Sequence, residues 1–233
     1  MERIDLHLLN LTTPKPSEDG GSLSTTYPPG QFVEDEFYRQ GETGELILWA
    51  PVVGASTKST TRTRTELRET LANGNLYNWR MDSADHHWLQ TSVVVREVPE
   101  PSGETVVSQI HVKDSSRPML KVSYDDGKII VGFRAEFDQV DPIDTTILSN
   151  VPLNTRLALS VHLTATGQLS ISASYTLNGA RVDGKAQLTA YPSWNPRLLY
   201  FKFGVYNQQS PSSTTPADTG SLATYWKASI RHE

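Results

Sequence analysis

From Phe32 onward the chain is a succession of short runs rich in β-branched and aromatic residues, each cut off by Gly, Pro, Asn or Asp. Runs at 46–49, 88–98, 105–112, 120–124, 129–133, 157–163, 169–177, 198–206 and 225–230 fit strands. The turn dipeptides Asp126-Gly127, Thr166-Gly167 and Asn178-Gly179 fall where hairpins need them. This punctuation points to an all-β chain, an antiparallel two-sheet sandwich of the jelly-roll kind. A single helical turn fits either 143–148 or 79–84. Residues 12–31 hold Pro14, Pro16, Pro28 and Pro29 and few apolar side chains, so residues 1–31 read as an irregular lead-in packed on one domain spanning 32–233. A chain of 233 residues suits a single β-domain.

Composition removes several chemistries. With no Cys there can be no disulfide framework, thiolate zinc site, iron–sulfur cluster or cysteine nucleophile. A net charge of −5 argues against a nucleic-acid binder, and no apolar run approaches the roughly 18 residues of a membrane-spanning helix. The chain as given begins without a basic region followed by an apolar stretch, so no signal segment is expected in it. Asn10-Leu11-Thr12 is the one glycosylation tripeptide.

Residues two apart in a strand share a face. One face of 62–68 then carries Arg62, Arg64, Glu66 and Arg68, while Thr63, Thr65 and Leu67 take the other. Taken alone, such a charge row is a solvated exterior. In 107–112, Gln109 and His111 share a face opposite Ile110 and Val112. In 200–208, Phe201, Phe203 and Val205 point inward, and Tyr200, Lys202, Gly204, Tyr206 and Gln208 look outward. A Gly inside such a strand clears space for something that approaches closely.

These three segments together carry a resemblance. Arg64-Thr65-Glu66-Leu67-Arg68, Gln109-Ile110-His111 and Tyr200-Phe201-Lys202-Phe203-Gly204-Val205-Tyr206-Asn207-Gln208 resemble, in order and separation, the signature blocks of alginate lyases of polysaccharide lyase family 7. Ala50-Pro51-Val52-Val53-Gly54-Ala55 is similar to the family's lead-in to the first block. The likeness runs from about Phe32 to the carboxy terminus. Phe203 departs from it, since the family more often has a small residue there.

The resemblance implies a β-jelly roll whose concave sheet binds an acidic polysaccharide, and β-elimination at a uronate. Removing the C5 proton of a uronate requires the adjacent carboxylate to be neutralised and the enolate-like charge stabilised. By the resemblance, Arg64, Gln109 and His111 serve that carboxylate. A base takes the C5 proton and an acid protonates the departing glycosidic oxygen. Tyr206 is the expected acid, and the base as well when both events lie on one side of the sugar; His111 is the expected base when they lie on opposite sides. Arg68 and Lys202 are expected to hold neighbouring carboxylates, Gln208 to bind hydroxyls, and Glu66 to complete the substrate-binding set, chiefly by orienting its arginines. A cationic groove on an acidic chain is coherent, because local field captures a polyanion, and added salt should weaken binding. Ile110, in the middle of its block, hints at guluronate-containing stretches.

No metal or other cofactor is implied. His86-His87 lack a carboxylate at ligand spacing, Asp125-Asp126-Gly127 is hairpin chemistry, and there is neither a phosphate-cradling Gly-rich loop nor a Gly-X-Ser-X-Gly elbow. The same residues would suit a lyase acting on another polyuronate such as glucuronan. A non-catalytic carbohydrate-binding jelly roll is the alternative of another class, against which Tyr206 and His111 occurring together argue. A monomer acting outside the cell, where long polysaccharides lie, completes the expectation.

Overall fold

The computed structural model describes residues 4–18 and 23–233. Among these residues the strands are β1 (Leu9–Pro16), β2 (Ser24–Tyr27), β3 (Tyr38–Gln40), β4 (Leu46–Pro51), β5 (Arg64–Glu69), β6 (His86–Glu97), β7 (Glu104–Val112), β8 (Leu120–Asp125), β9 (Lys128–Phe133), β10 (Ile143–Leu148), β11 (Arg156–Thr164), β12 (Gln168–Leu177), β13 (Ala180–Thr189), β14 (Leu199–Asn207) and β15 (Gly220–His232). They form an eight-stranded sheet in the order β10-β9-β8-β7-β14-β5-β1-β2 and a seven-stranded sheet in the order β13-β12-β11-β6-β15-β4-β3. All named pairs are antiparallel, and the sandwich is the all-β jelly roll that the strand pattern predicts.

The hairpin turns hold: Asp126 and Gly127 have φ 42° and 79°, and Asn178 and Gly179 have φ 50° and 80°, the paired positive values of a tight hairpin loop. Alternation along the strands fills the space between the sheets. Leu67, Ile110, Val112, Phe201, Phe203 and Val205 belong to one continuous core with Leu48, Leu89, Val93, Val161, Ile171 and Tyr225. Phe203, the departure from the family pattern, is fully buried there.

Three local expectations change. Residues 143–148 are the strand β10, not a helical turn: Ile143, Thr145, Thr146 and Ile147 are β-branched, and the segment pairs with β9. Residues 79–84 are no helix either, because Trp79 bridges to Leu199; the helical turns among the described residues are 3₁₀ turns at Leu6–Leu8 and Pro192–Trp194. The proline-rich lead-in, expected to be irregular, supplies β1 and β2. Leu9 and Leu11 are buried there; Pro14 and Pro16 sit at the end of β1 beyond its pairing with β5, and Pro28 and Pro29 follow β2.

Gly204 has a different neighbour from the one its strand pattern suggests. Its φ is 142°, and a Cβ there would collide with the Thr65 carbonyl and lie 2.8 Å from Glu66 Cα. The close approach comes from β5 itself and from Tyr225, which crosses the core to accept the Gly204 N–H at 3.2 Å and to sit 2.8 Å from the Val107 carbonyl.

Candidate active site

Register brings the three sequence segments side by side at the centre of the eight-stranded sheet. His111 pairs with Tyr200; Lys121, Gln109, Lys202 and Arg68 form the next rung; Glu66 faces Gly204; Arg64 faces Tyr206. All nine residues of β14 are buried, although only one of its faces meets the core. The outward polar side chains cover one another: Arg64 is 7% exposed, Glu66 1%, Gln109 1%, Lys202 8% and Tyr206 8%. Buried polar groups away from a core are the informative exception to ordinary burial, and here they are organised around one carboxylate.

Glu66 is that carboxylate. Its Oε2 accepts from Arg64 Nη1 at 2.8 Å and from Lys202 Nζ, and its Oε1 accepts from Gln109 Nε2. With no side chain at Gly204, Glu66 reaches across β14 to both neighbours. Arg64 in turn lies over the Tyr206 ring, its Cζ 3.8 Å from the centroid, and the Tyr206 hydroxyl is 3.3 Å from Thr60 Oγ1. Arg68 stacks on Tyr200 at 3.5 Å and donates to Asn78 Oδ1 at 2.6 Å.

Above this layer is a groove of about 460 Å³ lined by Arg64, Arg68, Gln109, His111, Lys202 and Tyr206, with Tyr200 and Lys121 beside them. A larger opening of about 540 Å³ elsewhere, near Leu8, Leu71 and Ile230, is walled mainly by apolar side chains, and its one lysine, Lys227, stands in a lining that also holds Asp5 and Glu69. The expected site residues therefore divide. Six line the groove. Glu66 lies beneath it, and Gln208 is not among its lining residues, its Oε1 accepting from Arg62 Nη1 at 2.9 Å. Ile110 is wholly buried on the inward face, so any preference it marks acts through packing.

The family-model comparison decides which proteins this geometry groups with. The model described as "Alginate lyase" matches residues 4–232, nearly the whole chain. The chain belongs to this alginate lyase family. An alginate lyase of Klebsiella pneumoniae is 26% identical over 141 residues, which cover 56% of this chain and 44% of that protein, less than half its length. The crystal structure of an alginate lyase from Pseudomonas aeruginosa superposes with a TM-score of 0.84 at 27% identity, covering 98% of this chain and all of that one. A family 7 alginate lyase variant in complex with the substrate GGMG shares the fold at a TM-score of 0.78 and 21% identity, covering 99% of this chain and 94% of its own.

In this alginate lyase family member the electrostatics follow from burial around Glu66. Burial opposes its charge, yet Lys202 and Arg64 outweigh that and hold the carboxyl well below the usual range. Burial pushes the Lys202 ammonium down to about 8 against the pull of Glu66. Burial, with Lys202 close by, pushes the His111 imidazole down to about 4, so it is neutral at pH 7. The Val112 N–H, whose direction the backbone fixes, donates to His111 Nδ1 at 2.9 Å, and the Tyr200 hydroxyl is 3.0 Å from the same nitrogen. The network therefore assigns the single ring proton to Nε2. The nearby Val112 carbonyl is then a contact and not an acceptor of that proton.

Tyr200, Lys121 and Thr60 were not singled out from sequence as site residues. Tyr200 and Lys121 sit on outward positions of β14 and β8 at the rungs of His111 and Gln109, a signal that appears only once strand partners are known. Thr60 comes from a loop, which no periodicity marks.

Acid should loosen this fold before it reaches the carboxylates. His87, stacked on Trp79 at 4.1 Å, is also pushed down to about 4, first by its burial. Both imidazoles bind protons near 6.5 when unfolded and near 4 when folded, so the unfolded state gains protons first and stability declines as pH falls from 6.5 towards 4. Melting temperature followed from pH 7.5 to 4.5 is expected to drop through that window; a flat profile contradicts both assignments.

Proposed function

We propose that the chain depolymerises alginate by β-elimination. The observation that carries this reading is the row of donors above Glu66: Arg64, Gln109 and a His111 whose proton sits on Nε2, all in one groove with a tyrosine hydroxyl. Such donors suit a uronate carboxylate whose charge grows as the C5 proton leaves. Arg68 and Lys202 then meet neighbouring carboxylates along the polymer.

With His111 a donor in its neutral form, Tyr206 is the group suited to both proton transfers. Starting as the phenolate, its oxygen takes the C5 proton, the electron pair freed from the C5–H bond forms the C4–C5 double bond as the C4–O glycosidic bond breaks, and the proton then passes from the tyrosine hydroxyl to the leaving oxygen, which restores the phenolate. The products are a new reducing end and a 4,5-unsaturated uronate. Long polysaccharides lie outside cells, and that is where this reading puts the reaction.

Ultraviolet absorbance of the unsaturated product, followed on polymannuronate, polyguluronate and glucuronan without added metal, tests the reading. Absorbance should rise on an alginate block. A rise on glucuronan alone moves the substrate to another polyuronate, and silence on all three with binding retained leaves a carbohydrate-binding protein.

A further inference from the structure

The outer face of the seven-stranded sheet carries a second gathering of cations and aromatic rings that the elimination does not use. Register arranges it in rungs: Arg156, Val94 and Thr224; then Ala158, Ser92 and Lys227; then Ser160, Gln90 and Ser229; then His162, Trp88 and Arg231. Successive rungs lie about 7 Å apart, so the strip is roughly 20 Å long.

At one end Trp226 stands at the irregularity between Tyr225 and Lys227, with Arg156 Cζ 4.7 Å and Arg96 Cζ 5.8 Å from its ring centroid. Both guanidiniums are fixed by hydroxyls: Arg156 Nε donates to Ser92 Oγ and Arg96 Nε to Thr224 Oγ1, each at 2.8 Å. At the other end Trp88 stacks flat on His162, centroids 3.6 Å apart, in the rung of Arg231. Hydroxyls, the Gln90 amide and Lys227 fill the middle. A hollow of about 400 Å³ opens beside Arg156.

Charge decides what this face can hold. Among the described residues no carboxylate lies within ion-pair distance of Arg96, Arg156, Lys227 or Arg231. Of the bordering acids, Asp183 pairs with Arg181 at 2.6 Å, while Glu45 and Glu233 act on Arg96 and His162 only from beyond ion-pair distance. On a chain of net charge −5, an exposed cationic strip is a local departure that favours a polyanion. Flat rings at both ends, with guanidiniums, an ammonium and hydroxyls along the line, match a linear acidic sugar: its C–H faces rest on indole, its carboxylates meet the cations, and its hydroxyls meet Ser and Gln.

We propose that this outer face is a second, non-catalytic binding surface for the polyuronate chain, resting on the assignment of polyuronate cleavage to the groove. Holding one polymer at two places raises the effective concentration of its segments at the groove.

Two double variants test the strip: Trp226→Ala with Arg156→Ser at one end, and Lys227→Ser with Arg231→Ser in its middle and at its other end. Each is compared with the parent by electrophoresis in native gels cast with alginate, and by kinetics on alginate and on an alginate tetrasaccharide. Matching circular dichroism and melting temperature establish that the variants fold. Retardation by alginate should fall about threefold or more and the polymer KM rise by a similar factor, while kcat/KM on the tetrasaccharide stays within about twofold of the parent. Salt should erase the retardation that the strip contributes. Variants retarded like the parent overturn the proposal, as does an equal loss on polymer and tetrasaccharide, or retardation of the parent by dextran sulfate or DNA as strong as that by alginate. A parent that cleaves neither substrate, yet is retarded through the strip, removes the lyase assignment and leaves the outer surface standing.

Discussion

Tyr206→Phe is expected to lower kcat by about 10³ while polymer binding stays close to that of the parent, because a positioned acid–base group contributes about 10²–10⁴ to rate. The substitution isolates the hydroxyl. The ring is retained, so the Arg64 guanidinium 3.8 Å from its centroid keeps its platform, and Arg64 keeps its bond to Glu66. What disappears is the oxygen 3.3 Å from Thr60 Oγ1. A loss confined to KM would mean that the hydroxyl only holds substrate. A kcat within about tenfold of the parent would move proton transfer to another group in the groove, His111 or Lys202. Turnover by product absorbance and binding by calorimetry separate these outcomes.

The sheet alternation that turns Tyr206 toward the groove was legible in the sequence, and so was most of the candidate site. Period-two reading placed Arg64, Gln109, His111, Lys202 and Tyr206 on outward faces, and each lines the groove. It succeeded because β5, β7 and β14 are central strands, and the opposite faces of β7 and β14 are densely apolar, while β5 contributes Leu67 between buried Thr65 and Glu69. The reading weakened at the edges of the sheets. β2, β10 and β13 lie at edges, where one side has no partner and polar residues are tolerated, so Ala180–Thr189 carries little hydrophobic signal. Depth was also hidden. Alternation shows that Glu66 and Lys202 share a face, but not that Glu66 lies under the groove while Lys202 lines it. That difference comes from Gly204, whose missing side chain lets the carboxylate fold across its neighbour, and from the cations that close over it.

Glu66→Gln tests that buried position directly, and its expected effect is large. The carboxylate balances Arg64 and Lys202 and receives Gln109. A glutamine can satisfy the hydrogen bonds if the Gln109 amide turns over, so geometry alone would forgive the change. Charge would not: two buried cations would lose the one carboxylate that, among the described residues, pairs with both, a loss that typically costs about 3–5 kcal/mol. Lys202, already pushed down to about 8 with Glu66 present, would lose the attraction that keeps it charged. Stability measured by denaturant unfolding at pH 7 should therefore fall by about that amount, and activity should fall with it as Lys202 and Arg64 lose their fixed positions. The penalty should shrink above pH 8, where the parent's Lys202 also gives up its proton. Were Glu66 instead to touch the polymer, removing its charge would relieve repulsion with the uronates, and the variant would bind alginate more tightly at unchanged stability. Tighter binding and an unshifted unfolding midpoint together would return Glu66 to the substrate surface; destabilisation that eases at high pH places it as the anion on which the cationic layer is built.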